Sequence, residues 1–336
     1  MLLSILFSED MRTAASLSVS NCLNIVIPSI FPMTVISFFV METGFSVKLK
    51  HLTEKLTIKL FGLSGVSLEG MLLGLTGGYN TAVKCAVILK EKYPDAANQA
   101  KRIALFFMNP GISFTVLLAG AGLSGSIKAG IRLYTEAVFY NLLLAFLYNR
   151  YSRISDKIII RTETKSVSDA FVSAVKSASA AITSISFNIV FFSCLVSITG
   201  EILPFQASDI ILKLLSEVSS GVIFSTENFP FYITAGITAF GGLCIFIQNL
   251  EDIKKLGIRP VHFLGVRIIH GFLTGITEYA YSLIFPDTFY TSSLFTVKFS
   301  SSGNPVGTTA LLFLCVIYLF AVRSIKSPEF TTKKVN

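Results

Sequence analysis

The sequence predicts an all-α polytopic membrane protein of about six transmembrane helices plus two re-entrant helical hairpins in a 3+3 inverted repeat. Three observations carry this expectation. Of 336 residues, 52% are hydrophobic and 14% charged, with a mean hydropathy of +0.68, where a soluble domain carries about 25% charged residues. Six apolar segments are long enough to cross roughly 30 Å of hydrocarbon as helices. The order of segments in the first half then recurs in the second. Such a composition excludes a soluble enzyme and a disordered chain. Cys22, Cys85, Cys194, Cys244 and Cys315 lie singly in or beside apolar runs, which excludes a disulfide scaffold and reads as small buried residues. The net charge of +8 comes from Lys and Arg placed between apolar runs. That is the pattern of loops facing anionic lipid, so nucleic acid is not an expected partner.

The six spans are approximately 14–43, 102–122, 130–149, 178–200, 262–285 and 305–323. In the first, Pro28 and Pro32 each remove an N–H from the helix ladder, so a kink or break is expected there. Val47 to Leu60 reads as an amphipathic interfacial helix, with Leu49, Leu52, Leu56 and Leu60 on one face and Lys48, Lys55 and Lys59 on another; Ile210 to Val218 is its counterpart. Val66 to Leu89 is interrupted at Gly77-Gly78 and Ile233 to Leu250 at Gly241-Gly242. Each reads as a re-entrant hairpin of two half-helices meeting inside the membrane. The competing reading is a long helix that tolerates two Gly at about 1 kcal/mol each relative to Ala. Asn109-Pro110-Gly111 and His270-Gly271 supply polar or flexible backbone within the second and fifth spans, which are expected to be broken. Gly120, Gly122 and Gly125 read as close helix packing and a loop turn. Met1 to Ser8 is apolar but lacks a basic start, so no cleavable signal is expected.

The organisation is therefore a first repeat at 1–150, a polar linker at 151–167, a second repeat at 168–325 and a polar tail at 326–336. Three crossings per half invert the second half relative to the first. Lys and Arg lean towards the side that holds the linker, which points to a cytoplasmic linker.

Three His and 20 acidic residues form no H-E-x-x-H motif and no Ser-His-Asp spacing, so the expectation is a protein that is not an enzyme and needs no metal or cofactor. Asn80, Thr81, Asn109 and Gln248 are the candidate substrate-binding residues, since amides beside open backbone suit a small polar solute. The same side chains would also serve to cap half-helices. Lys84, His270 and Glu278 are candidates for handling charge or an ion, because an ionisable group at membrane depth is costly and needs a reason. For Lys84 the partners in view are Glu217 and Glu227, or a stem that snorkels to the interface; His270 is alternatively a neutral packing histidine. Gly77, Gly78, Gly111, Gly241, Gly242 and Gly271 mark the hairpins and breaks.

The stretches Ile27-Pro28-Ser29-Ile30-Phe31-Pro32, Leu60-Phe61-Gly62-Leu63-Ser64-Gly65, Gly77-Gly78-Tyr79-Asn80-Thr81-Ala82-Val83-Lys84, Gly241-Gly242-Leu243 and Arg267-Ile268-Ile269-His270-Gly271 are similar to those of the YlbJ-type sporulation integral membrane proteins. That group belongs to the wider nucleoside-recognition (Gate) domain family, and the likeness runs from about Glu9 to Tyr281. Asn80 and Ala82 stand where the family's hairpin tip has Pro and Gly. The resemblance implies a transporter-like protein of the cell membrane, acting in sporulation and moving or sensing a small polar or ionic solute, nucleosides included. The alternative it implies is a non-transporting scaffold in spore envelope or cortex assembly. Expected partners are the lipid bilayer, a small solute, other sporulation membrane proteins and a second copy of the chain.

Overall fold

Proline sets the geometry at the start of the chain. The computed structural model describes residues 8–43, 54–151, 166–202 and 206–285, and in it helix α1 (Ser8–Asn21) passes through a π-helical turn at Cys22–Val26 into α2 (Ile27–Thr43). Pro28 has no N–H to donate one turn back, and the ladder widens just before it, where the Ile27 N–H bonds the Cys22 carbonyl. The chain thus remains helical across the expected kink.

Helix α3 (Glu54–Phe61) meets Gly65–Thr76 at an angle of 82°. Gly62 sits at φ 65° in that bend, and the Arg102 guanidinium donates to the Phe61 carbonyl at 2.8 Å, capping the helix end. A 3₁₀ turn at Gly65–Ser67 leads into α4 (Leu68–Thr76), anchored by Gln99, whose Oε1 accepts from the Ser64 amide and from both serine hydroxyls, Ser64 and Ser67. At Gly77-Gly78 the chain reverses into α5 (Tyr79–Lys92), which packs back on α4; a Cβ on Gly74 would lie 2.9 Å from that of Ala82.

Helix α6 (Ala97–Phe106) is followed by five non-helical residues and by a π-helical segment, Ser113–Leu123, so the expected break at Asn109-Pro110-Gly111 is present. The segment lies tightly on α7 (Ile127–Tyr151), where Gly120 and Gly130 face each other without room for a Cβ on either. Then come α8 (Val167–Ile202), α9 (Gln206–Leu215), α10 (Val218–Asn228), α11 (Phe231–Phe240), α12 (Gly242–Gln248), α13 (Leu250–Lys255) and α14 (Pro260–Ile284). The two glycine pairs behave differently. Gly241 (φ 91°) and Gly242 (φ 81°) separate α11 from α12, yet Phe231–Gln248 together has the length and apolarity to cross a membrane.

Among the described residues three stretches are long and apolar enough to cross a membrane, Ile127–Tyr151, Val167–Thr199 and Phe231–Gln248, and the bent pair Glu54–Phe61 with Gly65–Thr76 makes a fourth if it is one span. The surface supports a lipid environment. On α8 the small residues Ala170, Ala174 and Ala178 are buried along with Ile182 and Ile189, while the large Phe171, Phe187 and Phe191 point outward. A water-soluble helix turns such rings inward.

Helix α14 corrects one expectation. Gly271 does not break the span: Pro260–Ile284 is one continuous helix of 25 residues. Gly271 and Gly275 instead let α14 approach α11, where the backbone of Gly236 lies so near that a Cβ on Gly271 would be 2.7 Å from its carbonyl oxygen. Arg267, His270, Thr274 and Glu278 repeat at helical spacing on the buried face, and Ile269, Phe272, Ile276 and Leu283 are exposed. The helix is polar within and apolar without, the polarity expected of a helix whose outer face meets lipid. The expected span at 305–323, the 326–336 tail, residues 152–165 of the linker and the first part of the Val47 to Leu60 helix lie outside the described residues.

Candidate functional site

Both glycine pairs are buried, and Tyr79 links the one to the other. Tyr79, the first residue of α5 after Gly78, lays its ring against Gly241, 3.1 Å from where a Cβ would stand, and its hydroxyl donates to the Thr238 carbonyl at 2.6 Å. Side chains at the other end of that contact form a polar pair of ladders. Asn80 donates to Gln248 Oε1 at 3.0 Å and accepts from the Asn249 amide, and one turn on, Lys84 Nζ lies 2.6 Å from Asp252 Oδ2. The spacing explains the register: residues 80 and 84 share a face of α5, as 248 and 252 share a face of α12 and α13.

These groups line an open cleft of about 330 Å³. Its other wall is α8, which presents Ser177, Ala180, Ala181 and Ser184, and Phe38 of α2 closes one side. Small side chains on α8 leave the room. The Lys84 side chain is 42% exposed and that of Asp252 9%, so the ammonium borders the open space while the carboxylate is sheltered. The site therefore offers amide donors and acceptors at its inner end and an ion pair at its outer one, a set suited to a small solute with hydrogen-bonding groups.

The structure thus brings Asn80, Gln248 and Lys84 together. The Lys84 partner is Asp252; Glu217 instead caps α10, accepting from the Ser219 and Ser220 amides at 2.9 and 2.7 Å, and Glu227 is exposed. The remaining candidates lie elsewhere. Thr81 donates to the Gly77 carbonyl at 2.9 Å and so closes the hairpin turn. Asn109 is fully buried, bonding the Leu75 carbonyl and accepting from Asn141 Nδ2 at 2.9 Å, which satisfies the open backbone between α6 and the π-helical segment. Gly78 and Gly111 approach each other at that break, where a Cβ on Gly111 would stand 3.5 Å from the Gly78 Cα.

His270 sits between two helices, its Nδ1 at 3.0 Å from the Ala239 carbonyl and its Nε2 at 2.8 Å from that of Ala137. Both ring nitrogens face carbonyl oxygens, the arrangement of a packing histidine that ties α14 to α11 and α7. Glu278 is held by both carboxylate oxygens to Arg132, at 2.8 and 2.9 Å, with the Tyr281 ring 3.9 Å from the guanidinium.

Sequence reasoning missed four residues of consequence. Asn249 and Asp252 complete the cleft and follow directly on Gln248. Arg132 and Arg267 are both inside segments read as spans, and a charge within a span was signal enough to single them out. Among the described residues no group of three or more His, Cys, Asp or Glu is placed to hold a metal ion. Compared with known proteins, the chain matches no family model, no curated protein and no solved structure.

Proposed function

We propose that this chain is an integral protein of the cell membrane that admits a small polar solute to the cleft between α5, α8 and α12–α13, and moves or senses it. The observation that carries the reading is the convergence of Asn80 and Lys84 with Gln248 and Asp252 in one open cleft, from positions 168 residues apart. Solute sites of secondary transporters lie between repeats, beside interrupted helices. The buried contact of Tyr79, next to the first glycine pair, with Gly241 of the second supplies that setting. Six crossings in a 3+3 inverted repeat, rocking about the contact between Tyr79 and Gly241, complete the proposal. The inside-out polarity of α14 supports counting it among the crossings despite its ionisable residues. A role in sporulation and nucleoside-like chemistry for the solute rest on the resemblance to YlbJ-type proteins.

The test is ligand-dependent thermal stability of the detergent-purified chain against nucleosides, amino acids, small carboxylates and metal ions. A ligand present at 100 times its Kd adds about 2.7 kcal/mol of stability. One chemical class is expected to give a saturable rise in melting temperature that Asn80→Ala abolishes. One observation favours a second reading, a non-transporting scaffold: Asn80, Gln248 and Asn249 hydrogen-bond one another, so the same amides also clamp α5 to α12. No response to any class from a folded protein supports the scaffold.

A further inference from the structure

Arg267 is the largest fully buried side chain in the described structure, 1% exposed, and no carboxylate among the described residues pairs with it. A guanidinium taken out of water at that depth costs several kcal/mol unless opposite charge meets it. What meets it is backbone. Nη1 donates to the Met108 carbonyl at 2.6 Å, Nε to that of Phe240 at 3.3 Å, and Nη2 to that of Ala239.

The origin of these oxygens matters. Met108 lies just past the C-terminus of α6, and Ala239 and Phe240 are the last residues of α11 before Gly241 turns left-handed. A helix C-terminus carries roughly half a negative charge on its unpaired carbonyls. The Ala239 and Phe240 carbonyls belong to such an end and the Met108 carbonyl stands two residues past another, so the guanidinium meets partial negative charge from both. Where membrane helices are interrupted, converging C-terminal ends of this kind coordinate cations.

We propose that the Met108, Ala239 and Phe240 carbonyls form a monovalent-cation site that the chain fills with its own Arg267. The tethered cation neutralises both helix ends and joins the break in the first half of the chain to the glycine pair in the second. The fold around the two breaks therefore depends on no soluble sodium or potassium. Removing the side chain opens a site for a free cation of the same shape.

Arg267→Ala in the full chain, purified in detergent, is titrated with guanidinium chloride at millimolar concentrations, with urea as the neutral analogue of like shape and choline chloride as the ionic-strength control. The variant is expected to melt below wild type and to recover saturably, by at least about 3 °C, with guanidinium alone. Wild type is expected to show no saturable rise with guanidinium. A folded variant that responds alike to guanidinium and urea would overturn the proposal. Should the variant fail to fold, wild type decides: its melting temperature is expected to stay constant when sodium and potassium are replaced by choline, and saturable stabilisation by either metal ion would overturn the proposal. No solute enters the test, so its outcome is independent of the cleft's function.

Discussion

Glu278 and Arg132 illustrate what a buried charge demands. Glu278 is fully buried, and the Arg132 fork is the group that lets its carboxylate stay there. Removing one member leaves the other uncompensated, at a cost of about 3–5 kcal/mol, whereas replacing both with apolar side chains of similar size is close to neutral. Arg132→Met is accordingly expected to lower the melting temperature sharply, and the double variant Arg132→Met/Glu278→Met to regain most of the loss. Thermal unfolding of the two variants side by side checks this. The need for a partner was legible in the sequence for both Glu278 and Lys84, since each is an ionisable group within or beside an apolar run. The partners were not legible: Arg132 lies 146 residues from Glu278, and only the packing of α7 on α14 brings them together. Asn109 shows the opposite case, an amide whose polar chemistry is spent on the Leu75 and Pro110 carbonyls and on the Asn141 side chain.

At the scale of elements, glycine does two jobs that a sequence does not separate. Gly78 and Gly241 have φ values of 100° and 91°, and they interrupt helices as expected. Gly271, beside His270, also reads as a break, yet it lies in an unbroken helix and serves as a flat surface against Gly236. The difference comes from the facing helix, which periodicity along one chain does not reveal. Gly271→Ala is expected to push α14 from α11 and to destabilise the protein. Gly265 belongs to the same helix and a Cβ there meets nothing within 4 Å, so Gly265→Ala is expected to stabilise by up to about 1 kcal/mol. Melting temperatures of the two alanine variants should move in opposite directions. Proline was likewise legible in position but not in outcome, since a single π-helical turn absorbs Pro28 without ending the helix.

For the molecule as a whole, the apolar composition foretold the helical architecture, and the long apolar runs foretold α7 and α8. Less legible was the arrangement of polar groups, because helices that are apolar outside hide Arg267, His270 and Glu278 on one inward stripe. The proposed solute site beside Asn80 and Lys84 requires a hydrated cleft along one wall formed by α8, a helix long and apolar enough to cross a membrane. Cysteine placed singly at Ser184, which lines the cleft, and at Phe187, which is 72% exposed and stands outside the cleft's lining on the same helix, separates the two environments. The protein would carry no native cysteine and be inserted in both orientations in liposomes, and the labelling rate with a membrane-impermeant maleimide would be measured. Ser184→Cys is expected to react at least roughly tenfold faster than Phe187→Cys, because only a hydrated thiol ionises to the reactive thiolate. Equal, slow labelling at both positions would place the cleft in lipid and contradict a solute site there.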